Sequence, residues 1–144
     1  MIRDLMSRIE DFSSFKIYLN DVGLLGALSG LPPKVVLDRN AIFTNFKGAL
    51  TEQYVLNELV SRELQIGYWS SESGNAEVDF VVQGEEDVYP LEIKAERNLK
   101  ARSLRVYRDL FNPARTYRSS LADVYGGEAT FDLPLFALGG LRFP

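Results

Sequence analysis

Two apolar segments joined by a four-residue polar turn limit the folds that this sequence can adopt. EVDFVVQ begins at residue 77, VYPLEIKA begins at residue 88, and GEED lies between them. Runs of β-branched and aromatic residues on either side of a short turn containing glycine predict a β-hairpin. A symmetric turn pairs the two residues that flank it, and this register places Asp79 directly opposite Glu92. The hairpin therefore brings charged side chains together within an otherwise apolar pair of strands.

Three charges are predicted to converge on one face of this hairpin. Opposed residues in antiparallel strands have Cβ atoms about 4.5–5.5 Å apart, so the carboxylates of Asp79 and Glu92 repel one another unless a cation lies between them. Lys94 lies two residues beyond Glu92 and therefore shares its face. Three interpretations fit this pattern: a metal ion held by the acid pair, a structural ion cluster that Lys94 neutralises, or a register shifted by one residue that separates the two acids. The apolar neighbours are predicted to pack on the other face: Val78, Phe80, Leu91 and Ile93.

The absence of histidine and cysteine narrows the chemistry of the chain. Without cysteine there is no disulfide, thiolate metal site or cysteine nucleophile, and without histidine the commonest general base is missing. Acid–base chemistry falls to carboxylates, lysine or tyrosine, and a bound metal would be a hard cation with oxygen ligands. Mg²⁺ or Mn²⁺ is therefore favoured over zinc.

The charges are segregated along the chain, although the net charge is only −4. Residues 72–92 carry seven acids and no base, whereas residues 94–118 carry eight of the sixteen Lys and Arg residues and two acids. An acidic cluster beside a basic segment suits a metal site that faces a phosphate-bearing ligand, but a solvated surface with segregated charge has the same composition. Three basic residues are candidate nucleic-acid contacts: Lys100, Arg102 and Arg105.

The remaining segments predict an α/β domain with a mixed β-sheet flanked by helices. Further strands are predicted at residues 15–19, 66–70 and 114–120, and residues 132–138 are predicted to form the last strand or an edge segment. Helices are predicted at residues 22–30 after an Asn20-Asp21 cap, at 48–64 and at 98–111. The last of these helices is expected to face the core through Leu99, Leu104, Tyr107, Leu110 and Phe111.

The length and composition predict one domain over residues 16–144, with residues 1–15 as a lead-in or the remnant of a preceding region. No apolar run approaches the roughly 18 residues that a membrane span needs, and the start lacks a signal-peptide pattern. We therefore expect a cytoplasmic location and no membrane partner.

The predicted helix over residues 48–64 carries a carboxylate on its apolar face. Glu52 has apolar neighbours three, four and seven positions later, namely Val55, Leu56 and Leu59. A carboxylate on such a face is partly buried and needs a partner.

These residues carry a resemblance to a known family. Asp79 followed by Glu92-Ile93-Lys94, and preceded by a helix bearing Glu52, resembles the PD-(D/E)xK nuclease superfamily and its restriction-endonuclease-like fold. More narrowly, four ordered blocks resemble the domain of unknown function 4143 (DUF4143), which usually forms the C-terminal part of predicted AAA+ type ATPases: KIYLNDVGLL, GALTEQYVLNEL, YWSSESGNAEVDFVV and YPLEIKAERNLKARSLRVY. Val78 stands where the superfamily has a proline, and no GxxxxGK[ST] motif is present, so no nucleotide site is expected.

The resemblance implies a metal-dependent nuclease site. Asp79, Glu92 and the backbone carbonyl of Ile93 would hold Mg²⁺ or Mn²⁺, and Glu52 would complete the metal shell. Lys94 would orient the attacking water and help to deprotonate it. The implied function is hydrolysis of nucleic-acid phosphodiesters within a larger protein whose ATPase portion is the partner of this domain. The alternative is a non-catalytic module with the same fold that binds nucleic acid or protein.

Overall fold

A mixed β-sheet with helices packed against both faces organises the chain in a computed structural model. The structure describes residues 15–32, 34, 41–95, 102–127 and 130–144. The strands in this part of the chain are β1 (Ile66–Ser70), β2 (Glu77–Gln83), β3 (Val88–Ile93), β4 (Thr116–Ser120), β5 (Tyr125–Gly126) and β6 (Thr130–Pro134). The helices are α1 (Val22–Leu28), α2 (Ala41–Ser61) and α3 (Arg102–Phe111), and a 3-10 helix covers Leu135–Gly140.

The six strands lie in the order β1-β2-β3-β4-β6-β5. β1, β2 and β3 form an antiparallel meander, β3, β4 and β6 run parallel, and β5 pairs antiparallel with β6. Because parallel neighbours need a crossover connection, α3 lies between β3 and β4 in the chain. The prediction of an α/β domain with a mixed sheet is confirmed.

Helices α2 and α3 cover opposite faces of the sheet. One apolar cluster joins Leu59 of α2 to Phe80, and a second joins Tyr107 of α3 to Val81. Phe80 and Val81 are consecutive residues of β2, and consecutive strand residues point to opposite faces. The sheet is therefore the middle of three layers, which bury its central strands on both sides.

The register predicted for the hairpin is confirmed as far as the strands pair, which is one residue short of Asp79 and Glu92. β2 and β3 pair from Gln83 opposite Val88, at the turn, to Phe80 opposite Leu91. Within the turn, the N–H of Gly84 donates to the carbonyl of Asp87 at 2.9 Å, which closes the symmetric four-residue loop.

A β-bulge in β2 displaces one residue from its predicted face. Gly67 pairs with Val81 and Trp69 pairs with Val78, so two steps along β1 match three steps along β2. Such an extra residue interrupts the alternation of side chains. Val78 consequently packs in the cluster of α3, whereas Phe80 packs in the cluster of α2. The prediction that these two residues share one face is wrong, although Leu91 and Ile93 do join Phe80 as expected.

Residues 15–20 form an irregular segment across α2, which we call the N-terminal strap. The N–H of Leu19 donates to Oε1 of Gln53 at 2.9 Å, and Nε2 of Gln53 donates to the carbonyl of Leu19 at 2.7 Å. Asn57 Nδ2 also donates to the carbonyl of Asn20 at 2.7 Å. The predicted strand at 15–19 is wrong, because a glutamine side chain takes the hydrogen bonds that a neighbouring strand would take.

The three predicted helices are confirmed as helices, but not all of their first and last residues match the prediction. Asp21 caps α1, accepting the N–H of Leu24 at 2.8 Å, as predicted. α2 is described from Ala41, so it is already helical before the predicted start at residue 48, and α3 is described from Arg102. Leu110 is 63% exposed and Phe111 is 44% exposed, so neither is the core residue that its spacing predicted, and Leu99 lies outside the described residues. None of the described helices has the length and apolar character needed to cross a membrane.

Candidate functional site

Asp79 lies where the hydrogen-bonded ladder between β2 and β3 ends, at the bulge. The last paired residues are Phe80 and Leu91, and beyond them Oδ2 of Asp79 accepts the N–H of Ile93 at 2.7 Å. Burial raises the pKa of Asp79 to about 7; the Ile93 N–H opposes the rise, and the charge of Glu92 adds to it. This carboxyl group therefore loses its proton near neutral pH rather than in acid.

Glu92 is buried, and among the described residues only one of its carboxylate oxygens has a hydrogen-bond partner. The residue is 5% exposed, and Oε1 accepts a hydrogen bond from Nζ of Lys94. No described residue donates to Oε2, although this atom is buried. A buried carboxylate oxygen without a donor or a cation is costly, so a donor or a cation at this atom would stabilise the fold.

Lys94 follows β3 and lies on the face of Glu92, as the period of two predicted. Its N–H donates to the carbonyl of Ser119 at 2.9 Å, which extends the parallel ladder with β4 by one residue. The side chain is 31% exposed, against 6% for that of Glu92. Lys94 therefore contacts the buried carboxylate of Glu92 while part of its own side chain is exposed to solvent.

Glu52 of α2 contacts the N-terminal strap. Its Oε1 accepts hydrogen bonds from Nζ of Lys16, at 3.2 Å, and from the hydroxyl of Tyr18. Lys16 also pairs with Oε1 of Glu77 at 2.5 Å and lies 5.1 Å from the centre of the Tyr68 ring. Glu52 and Lys16 both act on Asp79, since the charge of the first raises its pKa and the charge of the second lowers it.

The strap residues keep their protons in this setting. Burial, followed by the hydrogen bond to Glu52, raises the pKa of Tyr18, so its hydroxyl remains a neutral donor. Burial by itself would lower the pKa of Lys16, but the hydrogen bond to Glu77 and the charge of Glu52 outweigh this effect and raise it. Lys16 therefore remains a cation between two carboxylates.

Partly buried Arg118 and buried Asp132 form a second ion pair, in register with Glu92. Across the parallel strands, Glu92 pairs with Arg118, and Arg118 pairs with Asp132. Nε and Nη2 of Arg118 donate to the two oxygens of Asp132 at 2.5 and 2.8 Å. A row of alternating charge therefore crosses the sheet beside the site.

The start of α3 lies next to the start of β2. Oγ of Ser103 accepts the N–H of Glu77 at 3.3 Å, which joins the two elements. Arg102 and Arg105 are exposed on this helix, as a nucleic-acid contact requires. Lys100, the third candidate contact, lies outside the described residues.

The site as a whole carries negative charge. It contains four acids and two lysines, which leaves a charge of −2 when every acid is ionised: Glu52, Glu77, Asp79 and Glu92 with Lys16 and Lys94. Within the described ranges, no three acidic side chains are grouped so that they could hold a metal ion. An ion bound between Asp79 and Glu92 would therefore need backbone or water oxygens to complete its shell.

Sequence reasoning missed Lys16, Tyr18 and Glu77. Lys16 and Glu52 are 36 residues apart, and nothing in the local pattern of either segment indicates that they meet. Glu77 stands two residues before Asp79, and in a regular strand this spacing would place both side chains on one face. The bulge interrupts that alternation in β2.

A known protein family matches most of the chain. Residues 47–135, more than half of the chain, match the family described as Domain of unknown function (DUF4143). The matched region runs from α2 to the end of β6 and includes Glu52, Asp79, Glu92 and Lys94. No curated protein and no solved structure matches the chain. The chain therefore belongs to the DUF4143 family.

Proposed function

We propose that this chain is a metal-dependent nuclease-like domain of the PD-(D/E)xK type, with a restriction-endonuclease-like fold, that hydrolyses nucleic-acid phosphodiesters. The observation that carries the proposal is the buried Oε2 of Glu92, which has no hydrogen-bond partner among the described residues. It belongs to the carboxylate beside Asp79, whose pKa burial raises to about 7. A structural ion cluster would satisfy its buried oxygens, whereas a site built to bind a cation leaves one of them open.

The residues present fit Mg²⁺ or Mn²⁺. Asp79 and Glu92 would hold the ion, with the carbonyl of Ile93 as a third ligand, and all three supply the oxygen atoms that hard cations prefer. The N–H of Ile93 holds Oδ2 of Asp79, which orients this carboxylate before an ion arrives. The site charge of −2 matches a divalent cation. When bound, the ion would neutralise charge on the phosphate and lower the pKa of a water molecule.

Lys94 would act on the attacking water. Its hydrogen bond to Glu92 fixes the ammonium group beside the proposed ion ligands, and its partial exposure leaves it accessible to solvent. From this position Lys94 would hold the water in line with the phosphorus and favour its hydroxide form.

The basic face of α3 would hold the nucleic-acid backbone. Arg102 and Arg105 are exposed on a helix whose first turn contacts Glu77, so a phosphate bound to them would lie beside the site. We further propose that the domain works in the cytoplasm as part of a longer protein with an AAA+ type ATPase portion. The resemblance of the DUF4143 blocks to such proteins supports this part of the proposal.

Metal binding and strand cleavage test the proposal together. Mn²⁺ should raise the melting temperature of the wild-type protein and leave that of Asp79→Ala unchanged, because a ligand that binds only the folded state stabilises it. Asp123→Ala, which removes an exposed aspartate, should respond to Mn²⁺ as the wild type does. Equal responses of wild type and Asp79→Ala would refute the metal site.

Cleavage should depend on Lys94 more than binding does. Lys94→Ala should abolish Mn²⁺-dependent nicking of DNA while the affinity for DNA changes little, because the lysine acts on the water rather than on the ground-state complex. Should the wild type show neither DNA binding at low salt nor Mn²⁺-dependent nicking, even when joined to an ATPase portion, the nuclease proposal fails and a partner-binding module replaces it.

A further inference from the structure

Lys16 forms an ion pair with Glu52, the carboxylate that the sequence resemblance assigned to the metal shell. Its ammonium group lies 3.2 Å from Oε1 of Glu52, and the hydroxyl of Tyr18 donates to the same oxygen. The other side of the ammonium group contacts Glu77 at 2.5 Å. Glu52 can leave this arrangement only if the tyrosine loses its acceptor and the lysine loses one of its two counter-charges.

The attachment of the strap to α2 holds Lys16 in this position. Gln53 follows Glu52 in the helix, is 1% exposed and binds both the N–H and the carbonyl of Leu19. Asn57, one turn further along α2, binds the carbonyl of Asn20. These bonds anchor the strap close to Lys16 and Tyr18, so the two donors and their acceptor are presented by one rigid pair of segments.

We propose that Lys16 is a built-in cation that holds Glu52 outside the coordination shell, so that a divalent ion binds through Asp79 and Glu92 alone among the acids. This inference rests on the proposed function and assigns the regulation of that same site. Glu52 then acts as a positioning residue, since it acts through Lys16 and Tyr18 rather than on the ion.

The arrangement has a direct consequence for metal affinity. Lys16 repels a divalent ion at Asp79, and it withholds a third carboxylate that could bind the ion. Removing the ammonium group relieves the repulsion and leaves the Tyr18 hydroxyl as the remaining donor to Glu52, which can then turn more easily toward the ion, so both changes act in the same direction. The wild-type site is therefore weaker for Mn²⁺ than its complement of acids allows.

Titration of Mn²⁺ into the full chain by calorimetry tests this assignment. Lys16→Met should bind Mn²⁺ about tenfold more tightly than the wild type. Lys16→Arg retains the charge and should match the wild type. Glu52→Gln should weaken Mn²⁺ binding by no more than about threefold in the wild-type background, whereas Glu92→Gln should weaken it by about tenfold or more. In Lys16→Met, the same Glu52→Gln change should remove most of the gained affinity, because Glu52 has become a ligand there.

The possible outcomes separate this inference from the proposed function. A loss on Glu52→Gln as large as that on Glu92→Gln would make Glu52 an ordinary metal ligand and overturn the inference alone. Unchanged or weaker binding by Lys16→Met would also overturn it. Should Lys16→Met fail to fold, Glu52→Gln and Lys16→Arg still decide the question. If the wild type bound no Mn²⁺ at all, the proposed function would fail, and this inference with it.

Discussion

Replacing Asp79 by asparagine should stabilise the metal-free domain at alkaline pH. The folded protein raises the pKa of Asp79 from 3.8 to about 7, chiefly by burial. Between these two values the folded state holds a proton that the unfolded state has lost, so the free energy of unfolding falls as the pH rises. Asparagine has a similar shape, can still accept the Ile93 N–H, and carries no charge to desolvate.

The size of the effect follows from the displacement of the pKa. Each pKa unit corresponds to about 1.4 kcal/mol, so the buried carboxylate costs about 4 kcal/mol at pH 8 and about 2 kcal/mol at pH 5. The hydrogen bond from the Ile93 N–H to an uncharged acceptor is weaker, which reduces the gain in stability by about 1 kcal/mol. Asp79→Asn should therefore gain about 3 kcal/mol at pH 8, a rise in melting temperature of roughly 6–12 °C for a chain of this size, but only about 1 kcal/mol, or roughly 2–4 °C, at pH 5.

Thermal unfolding in a chelating buffer at pH 5 and pH 8 measures this difference. Asp123→Asn is the matched control, because it makes the same chemical change at an exposed site and should leave the melting temperature unchanged at both values. In the same buffer without the chelator, Mn²⁺ at pH 8 should stabilise the wild type and leave Asp79→Asn unaffected. A melting temperature for Asp79→Asn that is lowered equally at both pH values would refute the argument from a buried charge.

Three further changes test the strap, the second ion pair and the basic helix. Gln53→Ala should lower the free energy of unfolding by about 2 kcal/mol in urea, since Leu19 loses two hydrogen bonds, whereas exposed Gln65→Ala should not. Arg118→Met should lower the free energy of unfolding by about 3 kcal/mol in the same assay, because Asp132 remains buried without its guanidinium partner. Asp132→Leu added to Arg118→Met should recover part of this loss, and no recovery would contradict the pairing. Arg102→Glu with Arg105→Glu should weaken DNA binding at low salt and reduce the salt slope by about 2, with an unchanged melting temperature; an unchanged slope would exclude phosphate contacts.

The part of the site that lies on the hairpin could be predicted from local sequence. A four-residue turn and alternating apolar residues determine which residues of β2 and β3 face one another, and the observed register agrees. The same period of two placed Lys94 beside Glu92, where the two side chains bond. The Asp21 cap of α1 is equally local, because the hydrogen bond spans three residues. Such features depend only on neighbours in the chain or across one short turn.

The rest of the site was decided by tertiary structure. The strap at residues 15–20 has strand-like composition, yet it lies on α2 because the side chain of Gln53 offers it a donor and an acceptor. This contact brings Lys16 to Glu52 over a separation of 36 residues, which no local period encodes. Likewise, the bulge in β2 and the parallel order of β3, β4 and β6 arise from competition among whole elements for pairing and burial. The local pattern was enough to identify the two strands that carry the acids, whereas packing set which cations and acids surround them, because those contacts join residues that lie far apart in the chain.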